Sequence, residues 1–395
     1  MPDRLAIDGG TPVRATLLPY GRQTIDGDDE RAVLEALRAD YLTTGPRVEA
    51  FEEAFAACVG APYAVAFANG TAALHAAAHV AGVGPGGEGI TTPLTFVATA
   101  NCIRYVGGTP VLADIRADTM ALDVTAAAAA VTPRTRALLP VDYGGAPADL
   151  DESLALARRQ SLVVIEDAAH ALGAAYKGRP VGSIADLTTF SLHPVKHVTT
   201  GEGGVVTTRE AELAARLRRF RNHGIDTDAR TRAAQGAFFY DVVETGMNYR
   251  LTDLQCALGL SQLKKLPAQL VRRREIAAAY TAQLASLAGV ETPTVPADRE
   301  SAWHIYPLRL NLESLTVDRG RVFAALRAEN IGVNVHYVPV HLHTAYEGPR
   351  ARGRFPIAES SYDRLVTLPL WPGMTDRDVS DVVCAVRRVV AAYRL

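Results

Sequence analysis

Lys196 is the side chain with the clearest capacity for covalent chemistry in this sequence. It lies in the stretch SLHPVKHVTTGEGG (191–204), where a single amine is surrounded by turn-forming residues, hydroxyl residues and glycines. An amine held among neutral groups and partly removed from water favours its uncharged form, which attacks carbonyl groups. Most loop lysines are simply exposed to solvent, so this lysine alone does not establish a site.

A carboxylate follows an apolar run earlier in the chain. The run VVIED (163–167) predicts a buried strand that ends at Asp167, and His170 comes three residues later. Because open α/β sheets bind ligands beyond the carboxyl ends of their strands, Asp167 is placed to pair with a protonated ring nitrogen. A helix cap or a solvated strand end would also explain the aspartate, and His170 could be an ordinary helix histidine.

The tripeptide Asn69-Gly70-Thr71 joins a predicted strand to an alanine-rich helix. Its backbone N–H groups and the Thr71 hydroxyl can face an anion at the helix N-terminus. A plain strand–turn–helix junction explains it about as well, and it matches no nucleotide-loop fingerprint. Together with the aspartate and the lysine, however, it meets the three needs of pyridoxal phosphate: a phosphate cradle, a carboxylate for the pyridinium and an amine for the aldehyde.

The elements that must position these residues follow a regular pattern. Short apolar runs rich in β-branched residues alternate with helical segments through the first two thirds of the chain. This alternation predicts an α/β fold with a mostly parallel central sheet and helices on both of its faces. After residue 256 the predicted elements are a long charged helix (roughly 264–288), a strand (303–312), a helix (319–330), a strand (331–340) and a terminal helix.

The length of 395 residues exceeds the size at which a single core stops growing. We therefore expect a large α/β domain at 1–255 and a smaller C-terminal α+β domain at 256–395. Residues 1–25 are expected to pack on the smaller domain.

Composition restricts the partners and the compartment. The net charge is −2, which favours neither nucleic acid nor an anionic membrane as a partner. The four cysteines are widely spaced, and the N-terminus lacks the basic start and apolar segment of a signal peptide, so we expect reduced thiols and a cytoplasmic protein. His75 and His79 share a helix face without a neighbouring carboxylate ligand, and we expect no metal site.

Four motifs occur in a set order along the chain: NGT (69–71), EDAAH (166–170), SLHPVKHVTTGEGG (191–204) and GMNYRLTD (246–253). This order resembles the DegT/DnrJ/EryC1/StrS sugar aminotransferases, and the resemblance extends from IDGGTPV near the N-terminus to TLPLWPGMTDRDV near the C-terminus. It implies the aspartate-aminotransferase-like fold of the fold-type-I enzymes and pyridoxal 5'-phosphate as the cofactor.

The resemblance also implies roles for matching residues around the cofactor ring. Lys196 would hold the cofactor covalently as a Schiff base, and Asp167 would pair with the pyridine nitrogen. Phe96, in PLTFVATAN, would stack on the ring. His170 stands near the phenolic oxygen, where the family usually has glutamine.

The remaining implied contacts concern the cofactor phosphate. Gly70, Thr71 and Ser191 match phosphate ligands of the family. Asn248 matches the asparagine that reaches the phosphate of a neighbouring subunit. The resemblance therefore implies a homodimer with shared active sites.

Within the family, HPVKH (193–197) and IGVNVHYVPVHLH (331–343) are among the stretches most similar to one branch. That branch aminates UDP-4-keto-6-deoxy-N-acetyl-β-L-altrosamine in pseudaminic acid synthesis, with glutamate as the expected donor. Another UDP- or dTDP-4-keto-6-deoxyhexose is an alternative substrate. A second alternative is a pyridoxamine phosphate-dependent sugar 3-dehydrase, in which histidine replaces the lysine, and here His197 comes one position later. A third is a cofactor-binding regulator, which the absence of a basic stripe or DNA-binding appendage disfavours.

Overall fold

Thirteen strands are present in the computed structural model, which describes residues 4–395. The strands are β1 (Tyr63–Phe67), β2 (Glu88–Thr91), β3 (Thr109–Leu112), β4 (Thr135–Leu139), β5 (Val163–Asp167), β6 (Ala175–Tyr176), β7 (Arg179–Pro180), β8 (Leu187–Ser191), β9 (Gly204–Thr208), β10 (Val290–Glu291), β11 (Arg299–Glu300), β12 (Tyr306–Leu310) and β13 (Leu365–Leu368).

Twelve α-helices connect and cover these strands within the described residues. The helices are α1 (Gly27–Leu37), α2 (Pro46–Val59), α3 (Gly70–Val80), α4 (Ala98–Tyr105), α5 (Val124–Ala129), α6 (Leu150–Gln160), α7 (Ala211–Arg221), α8 (Ala229–Ala234), α9 (Asp253–Leu284), α10 (Arg319–Ala328), α11 (Pro356–Arg364) and α12 (Asp376–Tyr393).

Seven strands form the central sheet, in the order β1-β9-β8-β5-β4-β2-β3. The neighbours from β8 to β3 pair in parallel, whereas β9 is antiparallel to both β8 and β1. Successive side chains of a strand point to opposite faces, so Val205 is buried in the core that includes Phe55 of α2, while Val206 is buried in the core that includes Leu217 of α7. The predicted α/β class, a mostly parallel sheet covered on both faces, is confirmed.

A smaller antiparallel sheet, β10-β12-β13, forms around a second apolar core. Tyr280 of α9, Val322 of α10 and Val386 of α12 are buried in this core, and Leu5 and Leu18 from the N-terminal segment join them. Helix α9 contributes to both cores along its length. The division into domains at residue 255 remains a prediction.

The structure differs from the expected elements in the C-terminal third. The long helix begins at Asp253 rather than near 264. Thr252 and Gln255 form a capping box at this start. The strand predicted at 331–340 is wrong: the segment makes only isolated bridges, Ile331 with Leu18 and Asn334 with Thr367, and Val340 then donates its backbone N–H to the carbonyl oxygen of Pro93 over 2.8 Å. Alternating apolar residues do not distinguish a paired strand from an extended segment that makes only isolated bridges.

No helix within residues 4–395 combines the length and the apolar character that crossing a bilayer requires.

Candidate active site

A cavity of about 1230 Å³ opens where β5 and β8 end and α3 begins. The carboxyl ends of adjacent parallel strands lie on one edge of a sheet, which places residues from distant parts of the chain around a common space. Seven of the predicted site residues line this cavity: Gly70, Thr71, Phe96, Asp167, His170, Ser191 and Lys196.

Lys196 is held in the loop between β8 and β9. Its backbone N–H donates to the carbonyl oxygen of His193 over 2.9 Å, and its Nζ lies 3.4 Å from Nε2 of His304. Removal from water lowers the pKa of Lys196 to about 8; the charge of Asp167 opposes this shift and that of Arg273 adds to it. About a tenth of the amine is therefore uncharged at pH 7, far more than for an ordinary lysine, and the uncharged form is the one that attacks a carbonyl.

Asp167 lies at the end of β5 with its carboxylate inside the protein. Its Oδ2 accepts a hydrogen bond from the Thr99 hydroxyl over 2.6 Å, and its Oδ1 accepts one from the backbone N–H of Ala169 over 3.1 Å. Burial raises the pKa of Asp167, although these two bonds and the charge of Lys196 act in the opposite direction. A buried carboxylate that is short of positive charge suits a protonated ring nitrogen.

The N-terminus of α3 faces the end of β8. The Asn69 side chain accepts a hydrogen bond from the backbone N–H of Ala72, which leaves the earlier N–H groups of the helix for an anion. A Cβ on Gly70 would lie only 3.1 Å from Cβ of Ser191 and 3.2 Å from its Oγ. Glycine thus allows Gly70, Thr71 and Ser191 to surround a small anion.

An aromatic wall closes another part of the cavity. The ring of Phe96 is 55% exposed although it lies in a cavity wall, and its centroid is 5.7 Å from that of Tyr337. Tyr337 also hydrogen-bonds through its hydroxyl with Nε2 of His170 over 3.0 Å. Burial holds the pKa of His170 well below its usual range, so the ring is neutral and can hydrogen-bond with an oxygen of a ligand.

Asn248 lies apart from the residues that line this cavity. Its backbone forms an isolated bridge with Asn222, while the lining includes its neighbours Met247 and Tyr249. The prediction that it serves the phosphate of a neighbouring subunit therefore remains a prediction.

Several residues at or behind the site had no signal in the sequence. Thr99 supplies the hydroxyl that anchors Asp167, and His304 contacts Lys196. Arg273 is buried, and one of its terminal nitrogens lies 3.2 Å from the carbonyl oxygens of Trp303, His304 and Leu370. No spacing in the sequence relates Thr99, His304 or Arg273 to Lys196 or Asp167.

A family profile decides how this geometry is interpreted. The DegT/DnrJ/EryC1/StrS aminotransferase family matches residues 23–387. The chain belongs to this family. It is an aminotransferase that uses pyridoxal phosphate, so the predicted enzyme class and cofactor are confirmed together with the family.

Individual relatives support the assignment over nearly the whole chain. The spore coat polysaccharide biosynthesis protein SpsC of Bacillus subtilis is 44% identical over 381 residues, which cover 95% of this chain and 98% of SpsC. A putative sugar aminotransferase of Streptococcus pneumoniae, Spr1654 in its PMP form, has a TM-score of 0.89 and 30% identity, covering 95% of this chain and 99% of its own. Helicobacter pylori PseC, an aminotransferase of pseudoaminic acid biosynthesis, has a TM-score of 0.88 and 31% identity, covering 96% and 100%.

The residues around the cavity fit the cofactor of this family. Asp167 is buried with a raised pKa and forms no salt bridge within residues 4–395. Lys196 offers an amine with a lowered pKa, and Gly70 leaves room for an anion beside Ser191. These three features satisfy the ring, the aldehyde and the phosphate of pyridoxal phosphate respectively.

Proposed function

We propose that this aminotransferase transfers an amino group from glutamate to the 4-keto group of a nucleotide-linked 4-keto-6-deoxy sugar. The substrate that we favour is UDP-4-keto-6-deoxy-N-acetyl-β-L-altrosamine, an intermediate of pseudaminic acid synthesis. The observation that carries the proposal is the convergence of Lys196, Asp167 and the Gly70–Ser191 cradle on one cavity of about 1230 Å³, a volume above that of most small-molecule pockets. The similarity to PseC and Spr1654 supports the sugar substrate.

Pyridoxal phosphate, when bound, supplies an aldehyde that combines with amines and a pyridinium ring that accepts electrons. In this chain Asp167 would hold the proton on the ring nitrogen, because a carboxylate close to that nitrogen favours its protonated form. Lys196 would act as the general base: its Nζ, with a pKa of about 8, would take a proton from the α-carbon of the donor and deliver it to C4′ of the cofactor.

The other residues of the cavity would position the reactants. The helix N-terminus at Gly70 and Thr71, with the Ser191 hydroxyl, would bind the cofactor phosphate. The exposed ring of Phe96 offers an apolar face for the cofactor ring, and the neutral His170 would hydrogen-bond with the phenolic oxygen of the cofactor.

The experiment that tests the substrate uses purified enzyme, pyridoxal phosphate, glutamate and a panel of UDP- and dTDP-linked 4-keto-6-deoxy sugars. Amino sugar formation is followed by mass spectrometry. The UDP-linked altrosamine precursor should give the highest kcat/KM, and Lys196→Ala should abolish turnover and the absorbance of the lysine-bound cofactor. A clear preference for a dTDP-linked sugar would refute the proposed substrate, and a Lys196→Ala enzyme that kept its turnover would refute the role of the lysine.

Two alternatives are less well supported. A sugar 3-dehydrase would need a histidine in place of the lysine, but His197 is 1% exposed and its Nε2 contacts the carbonyl oxygen of Ala302 over 3.0 Å, away from the cavity wall. A regulator that only binds the cofactor would have no need for the general base at Lys196. Formation of pyridoxamine phosphate from the bound cofactor on addition of glutamate separates an enzyme from such a regulator.

We also propose a cytoplasmic homodimer in which Asn248 completes the site of the partner subunit, and the two-domain division at residue 255. Exposed apolar side chains about ten residues before Asn248 in the sequence support the dimer: Phe238 is 91% exposed and Phe239 73% exposed. Analytical ultracentrifugation should show a dimer. Asn248→Ala should weaken the binding of pyridoxal phosphate without dissociating the dimer. A monomer with full activity would contradict both the dimer and the proposed role of Asn248.

A further inference from the structure

Two buried carboxyl groups lie beside Asp167 and have no part in the chemistry described above. Glu166 precedes Asp167 on β5, and alternation along the strand directs their side chains to opposite faces. Asp142 follows the neighbouring strand β4, and its backbone N–H donates to the carbonyl oxygen of Asp167 over 3.0 Å. Both Glu166 and Asp142 are 0% exposed.

Neutral donors satisfy one oxygen of each group. Oε2 of Glu166 accepts a hydrogen bond from the Thr188 hydroxyl over 2.8 Å, and Oδ1 of Asp142 accepts one from the backbone N–H of Ala148 over 2.9 Å. The other oxygens, Oε1 of Glu166 and Oδ2 of Asp142, are buried and find no donor among the described residues. The two carboxyl groups nevertheless lie within hydrogen-bonding reach of each other.

Two ionised carboxylates cannot satisfy each other, because both are acceptors. A single proton on one of them creates a donor and an acceptor, and like charges this close resist double ionisation. The charges that act on the pair are mutual or come from Asp167, and within residues 4–395 no salt bridge joins Asp142 or Glu166 to a cation. Burial raises the pKa of Glu166 to about 7 and that of Asp142 well above its usual range.

We propose that Asp142 and Glu166 share one proton and form a positioning pair for Asp167, with a single negative charge behind the carboxylate that holds the cofactor ring. The functional part rests on the proposed role of Asp167. One added negative charge strengthens the attraction of the site for a protonated ring nitrogen. Two added charges would place three carboxylates together in the core, at a large cost in stability.

The shared proton is tested in the apoprotein, independently of any activity. Infrared difference spectra at pH 7 should show the carbonyl stretch of a protonated carboxyl group in the wild type. Asp142→Asn and Glu166→Gln should each remove this band, because the remaining carboxylate can ionise and accept a hydrogen bond from the new amide. A wild type without the band, or a band that persists in both variants, would overturn the shared proton whether or not the enzyme aminates sugars.

The effect on Asp167 is tested by titration with pyridoxal phosphate, followed by absorbance. Each single variant keeps one negative charge and should bind the cofactor within about threefold of the wild type, whereas the double variant keeps none and should bind at least roughly tenfold more weakly. Glu88→Gln is the matched control, since Glu88 is a buried acid on β2 paired with Arg134, and it should not change the affinity.

Thermal melting establishes that each variant is folded. A double variant that is folded and binds pyridoxal phosphate as tightly as the single variants would refute the positioning role. A loss in the single variants as large as that in the double variant would refute it as well, because the charge is the same in the single variants and the wild type.

Discussion

Replacing Thr99 with valine removes one hydrogen bond from Asp167 while keeping the shape of the side chain. The Thr99 hydroxyl donates to Oδ2 of Asp167 over 2.6 Å, and Thr99 is 0% exposed. A buried hydrogen bond to a charged group contributes about 1.5–3 kcal/mol, since its loss leaves the acceptor unpaired. If the ionised Asp167 holds the cofactor ring, Thr99→Val should weaken the binding of pyridoxal phosphate about 10- to 150-fold.

The loss should also depend on pH. Burial raises the pKa of Asp167, and the hydrogen bond from Thr99 is the largest influence that lowers it. Without that bond the pKa of Asp167 rises further. Since pairing with the ring requires the ionised carboxylate, the affinity falls as the pH drops through this pKa, and in the variant the fall should begin at a higher pH.

Dissociation constants for pyridoxal phosphate, measured by absorbance between about pH 5 and 9, provide the assay. Thr99→Ser is the matched control because it keeps the hydroxyl, and it should retain most of the affinity and the pH profile of the wild type. Equal affinities and equal profiles for the valine and serine variants would show that the hydroxyl does not act on the cofactor through Asp167.

Three further results are expected. Gly70→Ala should weaken the binding of pyridoxal phosphate roughly tenfold, because its Cβ would press into the phosphate cradle, and unchanged affinity would contradict the cradle. Arg273→Met should raise the pKa of Lys196, because it removes a positive charge, and the pH profile of acetylation at Lys196 in the apoprotein should shift upwards; an unshifted profile in a folded variant would contradict this. Because burial raises the pKa of Glu166 to about 7, protonation of Glu166 should contribute stability that is complete below the unfolded pKa near 4.3 and is lost as the pH rises through about 7. The Asp142→Asn/Glu166→Gln variant should lack this loss of about 4 kcal/mol in urea unfolding, and parallel stability curves for the two proteins would argue against it.

The pattern of residues predicted the central sheet because buried parallel strands have a simple signature. Each is a short apolar run between helices, as in VVIED, and periodicity records this locally. The C-terminal third was harder to predict, and the segment at 331–340 lacks the expected strand. Whether an extended segment pairs depends on a partner elsewhere in the chain, and here the partners supply only two isolated bridges, Ile331 with Leu18 and Asn334 with Thr367.

Lys196 and Asp167 were predicted as site residues because each follows a strand, and the carboxyl ends of parallel strands meet at one edge. Thr99 of α4 contacts Asp167, His304 before β12 contacts Lys196, and Arg273 of α9 acts on Lys196 through its charge. No spacing in the sequence encodes these relations. Their roles become visible only when the distances between separate elements are known.

The sequence by itself determined which chemical groups are available and the order in which the chain presents them: an amine, an acid and a glycine-containing turn, each beside a strand or helix end. The tertiary structure decided their protonation. Removal from water lowers the pKa of Lys196 to about 8, raises that of Asp167 and leaves one proton for Asp142 and Glu166 to share. The physical reason is that the free energy of a charge depends on its solvation and on neighbouring charges, and both are set by packing between distant segments.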